Sequence, residues 1–194
     1  MKSKILPYLA LALFAAQLLL MLLSWLLSAA FPVDNIRSLL SPEGLRWFLG
    51  QFTAHIATPQ LAWLLLLSLA YGILRHSGLL WPGKGYRERR ALVITLLLAV
   101  VIVGVFLLLT VIPHAVLLSA TGSLWPSPFS RSLVPMVAFA VVLLSTCYGM
   151  ISGRLDSLRD VYDALLDGLR CAAPLFLFYV LVVQIYESLI YVFH

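Results

Sequence analysis

Four aspartates in the last quarter of the chain have the spacing of one helix face. Asp156, Asp160, Asp163 and Asp167 follow one another at intervals of four, three and four residues, and residues three or four apart are neighbours on a helix. Carboxylate oxygens are ligands for hard cations, so one interpretation is an acidic metal patch. The interpretation that this pattern more often supports is the solvated face of an amphipathic helix, available to a basic partner.

The other face of this segment is apolar. Ser157 and Asp160 have the spacing of a capping box, which begins helices. The apolar stripe consists of Leu158, Val161, Leu165 and Leu169. The pattern predicts an interfacial helix over about 156–169, lying on the inner side of a membrane.

Polar side chains inside apolar stretches are the next candidates for chemistry. Glu187 is the acid that falls within a predicted membrane span, and it lies 17 residues after Arg170. That is about 25 Å along a helix, so we expect Glu187 near the outer interface, in an interfacial or packing role rather than a functional one. The glutamines of the predicted spans are expected to form hydrogen bonds between helices; they are Gln17, Gln60 and Gln184.

Known catalytic and metal-binding motifs are absent from the sequence. It contains no Ser-x-x-Lys, His-Glu-x-x-His, Gly-x-Ser-x-Gly or phosphate-loop pattern, and no two histidines have the i, i+4 spacing of a metal site. Cys147 and Cys171 show no Cys-x-x-Cys spacing, so no disulfide framework or zinc knuckle is indicated. We therefore predict a protein that is not an enzyme and that has no cofactor, metal ligand or catalytic residue.

The elements that position these residues are membrane helices. Of 194 residues, 62% are hydrophobic and 11% are charged, against roughly 45–50% and about 25% in soluble domains. A membrane-spanning helix needs about 20 apolar residues, and five stretches meet this need, at about 5–31, 57–78, 91–112, 133–152 and 171–192. The predicted fold is an all-α integral membrane protein with five transmembrane helices, in a single transmembrane domain over residues 1–194.

The distribution of Lys and Arg predicts the orientation. With the N-terminus inside, ten basic residues fall in inner segments and three, Arg37, Arg46 and Arg131, in outer ones. Cytoplasmic loops carry the excess of basic residues, so we expect a cytoplasmic N-terminus, an outer C-terminus and a multi-pass protein of the cytoplasmic (inner) membrane. The net charge of +5 is then explained by the basic residues of the inner segments, and nucleic-acid binding is not needed to explain it.

A second interfacial helix is predicted over about 41–56. Ser41 is a candidate N-cap, Pro42 suits the first helical position, and Glu43 lies near the positive end of the helix dipole. Trp47 suits the headgroup level. Candidate interaction residues are therefore Glu43, Trp47, Gln17, Gln184, Glu187, Asp156, Asp160, Asp163 and Asp167.

Four stretches between or beside the predicted spans carry a family resemblance. They are "LLSPEGLRWFL" (Leu39–Leu49), "RHSGLL" (Arg75–Leu80), "WPSPFSRSLVP" (Trp125–Pro135) and "YGMISGRLDSLRDV" (Tyr148–Val161). In this order they resemble segments of the p-aminobenzoyl-glutamate (AbgT) transporter family. The resemblance covers most of the chain and implies an AbgT-like helical membrane fold.

The same resemblance implies that transport elements are missing. Family members are longer and contain two re-entrant hairpins, with further spans, that form the substrate and ion pathway. Here only Trp81–Arg90 separates "GLL" at Gly78–Leu80 from the next span, and the sequence ends at His194, where the second hairpin would follow. We expect a truncated member that keeps scaffold-like spans and lacks both hairpins, so no transport residue is carried over.

Three functions then compete. The favoured one is an AbgT-like membrane scaffold or accessory subunit that does not itself transport and that forms a homodimer or a heteromeric membrane complex in the lipid bilayer. The alternative is the scaffold half of a split AbgT-type secondary transporter, with its transport elements on another chain. A membrane enzyme or sensor that uses the four aspartates or Glu187 is the least favoured.

Overall fold

The structure is a computed structural model that describes residues 5–31, 36–111 and 128–194. This part of the chain contains α-helices and no strand, so the predicted all-α class is confirmed. The helices are α1 (Ile5–Ala30), α2 (Pro42–Gly50), α3 (Phe52–Ile56), α4 (Pro59–Ser77), α5 (Tyr86–Val111), α6 (Pro128–Ser152) and α7 (Leu158–Phe193). The end of the predicted third span and the loop after it, up to Ser127, lie outside the described residues.

Four of the described helices, α1, α5, α6 and α7, are long and apolar enough to cross a membrane. The chain is therefore a multi-pass membrane protein. The 19-residue α4, which lies within the predicted second span at 57–78, is not among the four. Polar residues near both of its ends, Gln60 and Arg75-His76, shorten its apolar stretch.

The amphipathic segment predicted over 41–56 forms two short helices, α2 and α3, which meet at Gln51. The start was predicted correctly, because the Ser41 Oγ accepts a hydrogen bond from the Gly44 N–H at 3.0 Å and Pro42 occupies the first turn. An N-cap hydroxyl of this kind satisfies one of the backbone N–H groups that a helix start leaves unpaired.

The segment predicted as an interfacial helix over 156–169 is not separate from the predicted span at 171–192. Both belong to α7, which runs without a break for 36 residues and contains Pro174. The change from polar to apolar residues at Arg170-Cys171 therefore does not end the helix. At 1.5 Å per residue α7 is about 54 Å long, well beyond the roughly 30 Å of hydrocarbon, so its aspartate-bearing first turns extend past the apolar stretch.

Contacts divide the chain into two compact units. The terminal unit combines Met1–Leu61 with Ala173–His194, and the central unit is Ala62–Ala172. The apolar core of the central unit is formed by Ile73, Leu155 and Ala164, against which Val142, Val161 and Leu165 pack. In the terminal unit several of the most buried side chains are polar; they are Gln17, Ser24, Gln184 and Ser188.

Candidate functional site

Within the central unit, α4 and α7 are in backbone contact through small residues. A Cβ placed on Gly72 would lie 2.3 Å from the Ala164 carbonyl oxygen, and one placed on Gly168 would lie 2.1 Å from the Ser68 carbonyl oxygen. Small residues four apart on both helices permit this approach, as they do in many membrane helix pairs. The two helices form a tight pair that has no room for a larger residue at either glycine.

The turn between α6 and α7 is a Schellman motif, a common way to end a helix. Gly153 has a φ of +77°, its N–H donates to the Met150 carbonyl at 3.3 Å, and the Arg154 N–H donates to the Gly149 carbonyl at 3.0 Å. Leu155 then folds back against Gly149, which has no side chain to obstruct it. This turn fixes where the aspartate-bearing end of α7 begins.

The four aspartates are engaged differently. The Asp160 carboxylate accepts hydrogen bonds from the backbone N–H groups of Asp156 and Ser157 at 3.0 and 2.9 Å, so it caps the helix as predicted. Asp167 pairs with His76 of α4 at 3.0 Å, and Asp163 lies 4.0 Å from Arg159. Within the described chain no three His, Cys, Asp or Glu side chains converge as a metal site requires.

These contacts shift the acidity of two of the aspartates. The hydrogen bond with His76 lowers the pKa of Asp167. Hydrogen bonds with the Ser157 side chain, and then with the backbone N–H groups of Ser157 and Asp156, lower the pKa of Asp160. Because both carboxylates lie in the first turns of α7, outside its apolar stretch, water screens them and the pairs contribute little to stability.

The aspartate face borders an open cleft of about 510 Å³ in the central unit. Both basic and acidic side chains line it, so its charge is mixed rather than purely acidic. The lining residues are His76, Arg154, Leu155, Asp160, Asp163, Ala164, Asp167 and Arg170.

The basic loop before α5 is tied to the turn after α6. Arg154 Nη2 donates to Glu88 Oε1 at 3.0 Å, and the Gly85 N–H donates to the same carboxylate at 3.4 Å. The hydrogen bond with Arg154 lowers the pKa of Glu88. The connection between α4 and α5 is thus short and held at its far end.

In the terminal unit a buried hydrogen bond joins α1 to the last turns of α7. The Gln17 Nε2 donates to the Ser188 Oγ at 2.9 Å, across 171 positions of sequence. Gln184, one turn before Ser188, is buried, and neither atom of its amide has a hydrogen-bond partner among the described residues. Gln17 therefore makes the inter-helix bond expected of it, whereas Gln184 faces the same interior without one.

Residues Arg37–Leu39 complete this packing. The Arg37 N–H donates to the Val192 carbonyl at 3.1 Å, and the Leu39 N–H donates to the Ser24 Oγ at 3.1 Å. Leu39 is fully buried. These bonds hold the start of α2 against both α1 and the end of α7.

An aromatic and charged pocket of about 340 Å³ forms beside this packing. Trp47 stacks on Tyr191 with 4.3 Å between ring centroids, and its centroid lies 4.5 Å from that of His55. The Arg37 guanidinium carbon lies 5.8 Å from the Tyr191 centroid, on the face of the ring. The remaining lining residues are Gln51, Glu187, Ile190 and His194.

Two of the predicted interaction residues, Trp47 and Glu187, are therefore brought into one pocket. Glu43, in contrast, is exposed in the first turn of α2, and it makes no ion pair among the described residues. Arg37, His55 and Tyr191 were not predicted as a group, because their proximity depends on tertiary packing. The Ser68/Gly72 and Ala164/Gly168 pairs were not predicted either, although their four-residue spacing is visible in the sequence.

A family model described as the AbgT putative transporter family matches residues 82–192, more than half of the chain. The match extends from the loop before α5 to the last turns of α7. No curated protein and no solved structure matches the chain.

Proposed function

Because the chain belongs to the AbgT putative transporter family, we propose that this transporter-like membrane protein is a scaffold or accessory subunit. In this proposal it does not transport by itself. It acts by holding a second copy of the chain, or another membrane protein, against its helices. It resides in the inner membrane with the N-terminus in the cytoplasm.

The observation that carries this proposal is the closed connection between α4 and α5. The helices end and begin at Ser77 and Tyr86, and the intervening loop is anchored through Glu88 to Gly85 and Arg154. This is the place where the family resemblance implies a re-entrant hairpin and two further spans. A short, anchored loop is better suited to a scaffold than to a transport element that must move.

The distribution of charge supports the same conclusion. In the described apolar stretches of α1, α5 and α6, at 5–30, 91–108 and 132–152, there is no Asp, Glu, Lys or Arg. Ion and substrate pathways usually place such residues within the membrane. In α7 the corresponding stretch contains Glu187, which belongs to the pocket at its end.

The packing of the helices also supports a scaffold function. Backbone contact between α4 and α7 and the Gln17–Ser188 hydrogen bond between α1 and α7 hold these helices together within their respective units. We propose that α4 is a fifth span, so that α2 and α3 lie at the outer interface and the aspartate end of α7 lies inside.

The experiment combines purification with a flux assay. The tagged chain is isolated from membranes in a mild detergent, and the species that co-purify in fixed ratio are identified by mass spectrometry. The purified chain is also placed in liposomes, and uptake of labelled p-aminobenzoyl-glutamate is measured. We expect a stable homo- or hetero-complex and no uptake above that of empty liposomes; saturable uptake by the chain alone would overturn the proposal.

The second candidate is the scaffold half of a split transporter, which the family match over 82–192 favours. Co-reconstitution separates it from the first candidate. If liposomes that contain the chain with its co-purified partner take up the solute, and neither protein alone does so, the split transporter is correct. If the partner transports equally well alone, the chain is an accessory subunit.

A further inference from the structure

We propose that the pocket of the terminal unit, which we call the Trp47 pocket, binds a zwitterion: a molecule with a phosphate or carboxylate group and a primary ammonium group a few bonds apart. This inference is independent of the proposed scaffold function. It depends on the charges and rings that line the pocket.

Two opposite charges face the pocket without neutralising each other. Arg37 and Glu187 both line it, yet they form no ion pair, and neither has another ionic partner among the described residues. Glu187 and Tyr191 are i, i+4 neighbours on α7, and the Arg37 guanidinium lies on the Tyr191 ring. Arg37 and Glu187 thus line one pocket with Tyr191, and both charges remain available to a ligand.

The remaining walls fit a small polar ligand. Trp47, Tyr191 and His55 form a continuous aromatic surface, and rigid rings with polar edges are suited to such contacts. His55 lines the pocket and is buried, and its Nδ1 has no hydrogen-bond partner in the described chain. An unpartnered buried polar atom is uncommon in a stable protein, so another polar group is expected beside it. The volume of about 340 Å³ is within the range of small-ligand sites.

A zwitterion satisfies both charges together. Its anionic group accepts charge-assisted hydrogen bonds from Arg37, and its ammonium group donates to the Glu187 carboxylate. A purely anionic ligand would leave Glu187 beside a like charge, and a purely cationic one would do the same to Arg37. The selectivity of the pocket follows from this repulsion as much as from the attraction.

The position of the pocket matches a phospholipid headgroup. Glu187 lies five residues before Val192 near the end of α7, about 8 Å along the helix, and Trp47 is of the type found at headgroup level. Phosphatidylethanolamine has the required charges, and so does a soluble zwitterion such as phosphoethanolamine. The chemistry is the same for both sources.

The test uses the full chain in detergent, with lipid retention measured by native mass spectrometry. Phosphatidylethanolamine, phosphatidylcholine and phosphatidylglycerol are added separately, and soluble phosphoethanolamine is added alone and as a competitor. The pocket variants are Arg37→Gln and Glu187→Gln. The matched controls are Arg46→Gln and Glu43→Gln, which remove the same charges from exposed positions of α2 outside the pocket.

We expect the parent chain to prefer phosphatidylethanolamine to the other two lipids. Each pocket variant should weaken this binding roughly ten- to a hundredfold, the usual effect of losing one charge-assisted hydrogen bond. Glu187→Gln should in addition lose the discrimination against phosphatidylglycerol, which a variant that merely perturbs packing would not do. The control variants should bind as the parent does.

The two sources of the ligand are separated by the soluble probe. If phosphoethanolamine binds alone and displaces the lipid, the pocket accepts a soluble zwitterion; if only the lipid binds, the site is specific for the membrane headgroup. Equal retention of all three lipids, with phosphoethanolamine not bound, would overturn the proposal. Unchanged phosphatidylethanolamine binding in both pocket variants would do so as well, and size-exclusion profiles confirm that each variant is folded.

Discussion

Gly72 of α4 and Gly168 of α7 touch each other directly, since a Cβ on Gly168 would lie 2.8 Å from the Gly72 Cα. No side chain separates the two helices at this point. In a membrane, where lipid is as apolar as leucine, close van der Waals packing of this kind replaces the hydrophobic effect as the force between helices. The packing of α4 against α7 in the central unit therefore depends on the absence of a side chain at Gly72 and Gly168.

The first prediction concerns this contact. Gly72→Ala should lower the stability of the detergent-solubilised protein by about 1–3 kcal/mol, as overpacking usually does, because its Cβ would meet the Ala164 carbonyl at 2.3 Å. The midpoint of thermal unfolding measures the change. Gly104→Ala in α5 is the matched control, since nothing lies within 4 Å of that Cβ and alanine favours the helix. Equal midpoints for the two variants would show that α4 and α7 do not pack as described.

The second prediction concerns the bond between Gln17 and Ser188. Gln17→Leu and Ser188→Ala should each destabilise the protein modestly, and the double variant should be little worse than either single one. Hydrogen bonds between membrane helices are worth on average about 0.6 kcal/mol and at most about 1.7 kcal/mol in double-mutant cycles. The same cycle with the exposed Gln60→Leu in place of Gln17→Leu should give no coupling energy. Additive effects of Gln17→Leu and Ser188→Ala would mean that this bond does not form.

The third prediction concerns acid. Because the folded-state pKa values of Asp160 and Asp167 are lowered, their contribution to stability is present above the unfolded value of about 4 and is lost as the pH falls through the folded values. The thermal midpoint should therefore decrease slightly from about pH 5 to about pH 3. Asp167→Asn should flatten this decrease, and so should His76→Gln, which removes the partner.

The matched control for this titration is Asp156→Asn. The Asp156 carboxylate makes no hydrogen bond or ion pair among the described residues, although its N–H donates to Asp160. The variant should therefore reproduce the pH profile of the parent chain. If Asp156→Asn and Asp167→Asn flatten the profile equally, the His76 contact is not responsible for it.

Local sequence signals predicted the helices well where residues within a single helix are sufficient to specify it. Ser41-Pro42 marks the start of α2, and Ser157 with Asp160 marks the start of α7, because capping depends on residues within one turn. The apolar runs likewise predicted α1, α5 and α6, since about 20 such residues suffice to identify a spanning helix. The continuity of α7 was missed because a change of polarity was interpreted as a helix end.

The Trp47 pocket illustrates what a single sequence cannot provide. Trp47 and Tyr191 lie 144 positions apart, and their 4.3 Å stacking depends on where the start of α2 is held, through the bonds of Arg37 and Leu39 to Val192 and Ser24. No local pattern encodes such a distance. The contact of Gly72 with Gly168 is predictable in part. The four-residue spacing of small residues indicates a close-packed helix face, but it does not identify the helix that packs against this face.

The fourth prediction decides whether α4 is a fifth span. In a background with Cys147→Ser and Cys171→Ser, single cysteines replace the exposed residues Thr53, Lys84 and Asp156, and a membrane-impermeant maleimide is applied to right-side-out and inverted vesicles. If α4 crosses the membrane, Thr53→Cys reacts from the side opposite to Lys84→Cys. Since α5 and α6 are both long enough to span, Lys84→Cys and Asp156→Cys should react from the same side. The excess of basic residues around them makes this the cytoplasmic side. Reaction of all three from one side would reduce the chain to four spans and place α2 and α3 on the cytoplasmic surface with the aspartates.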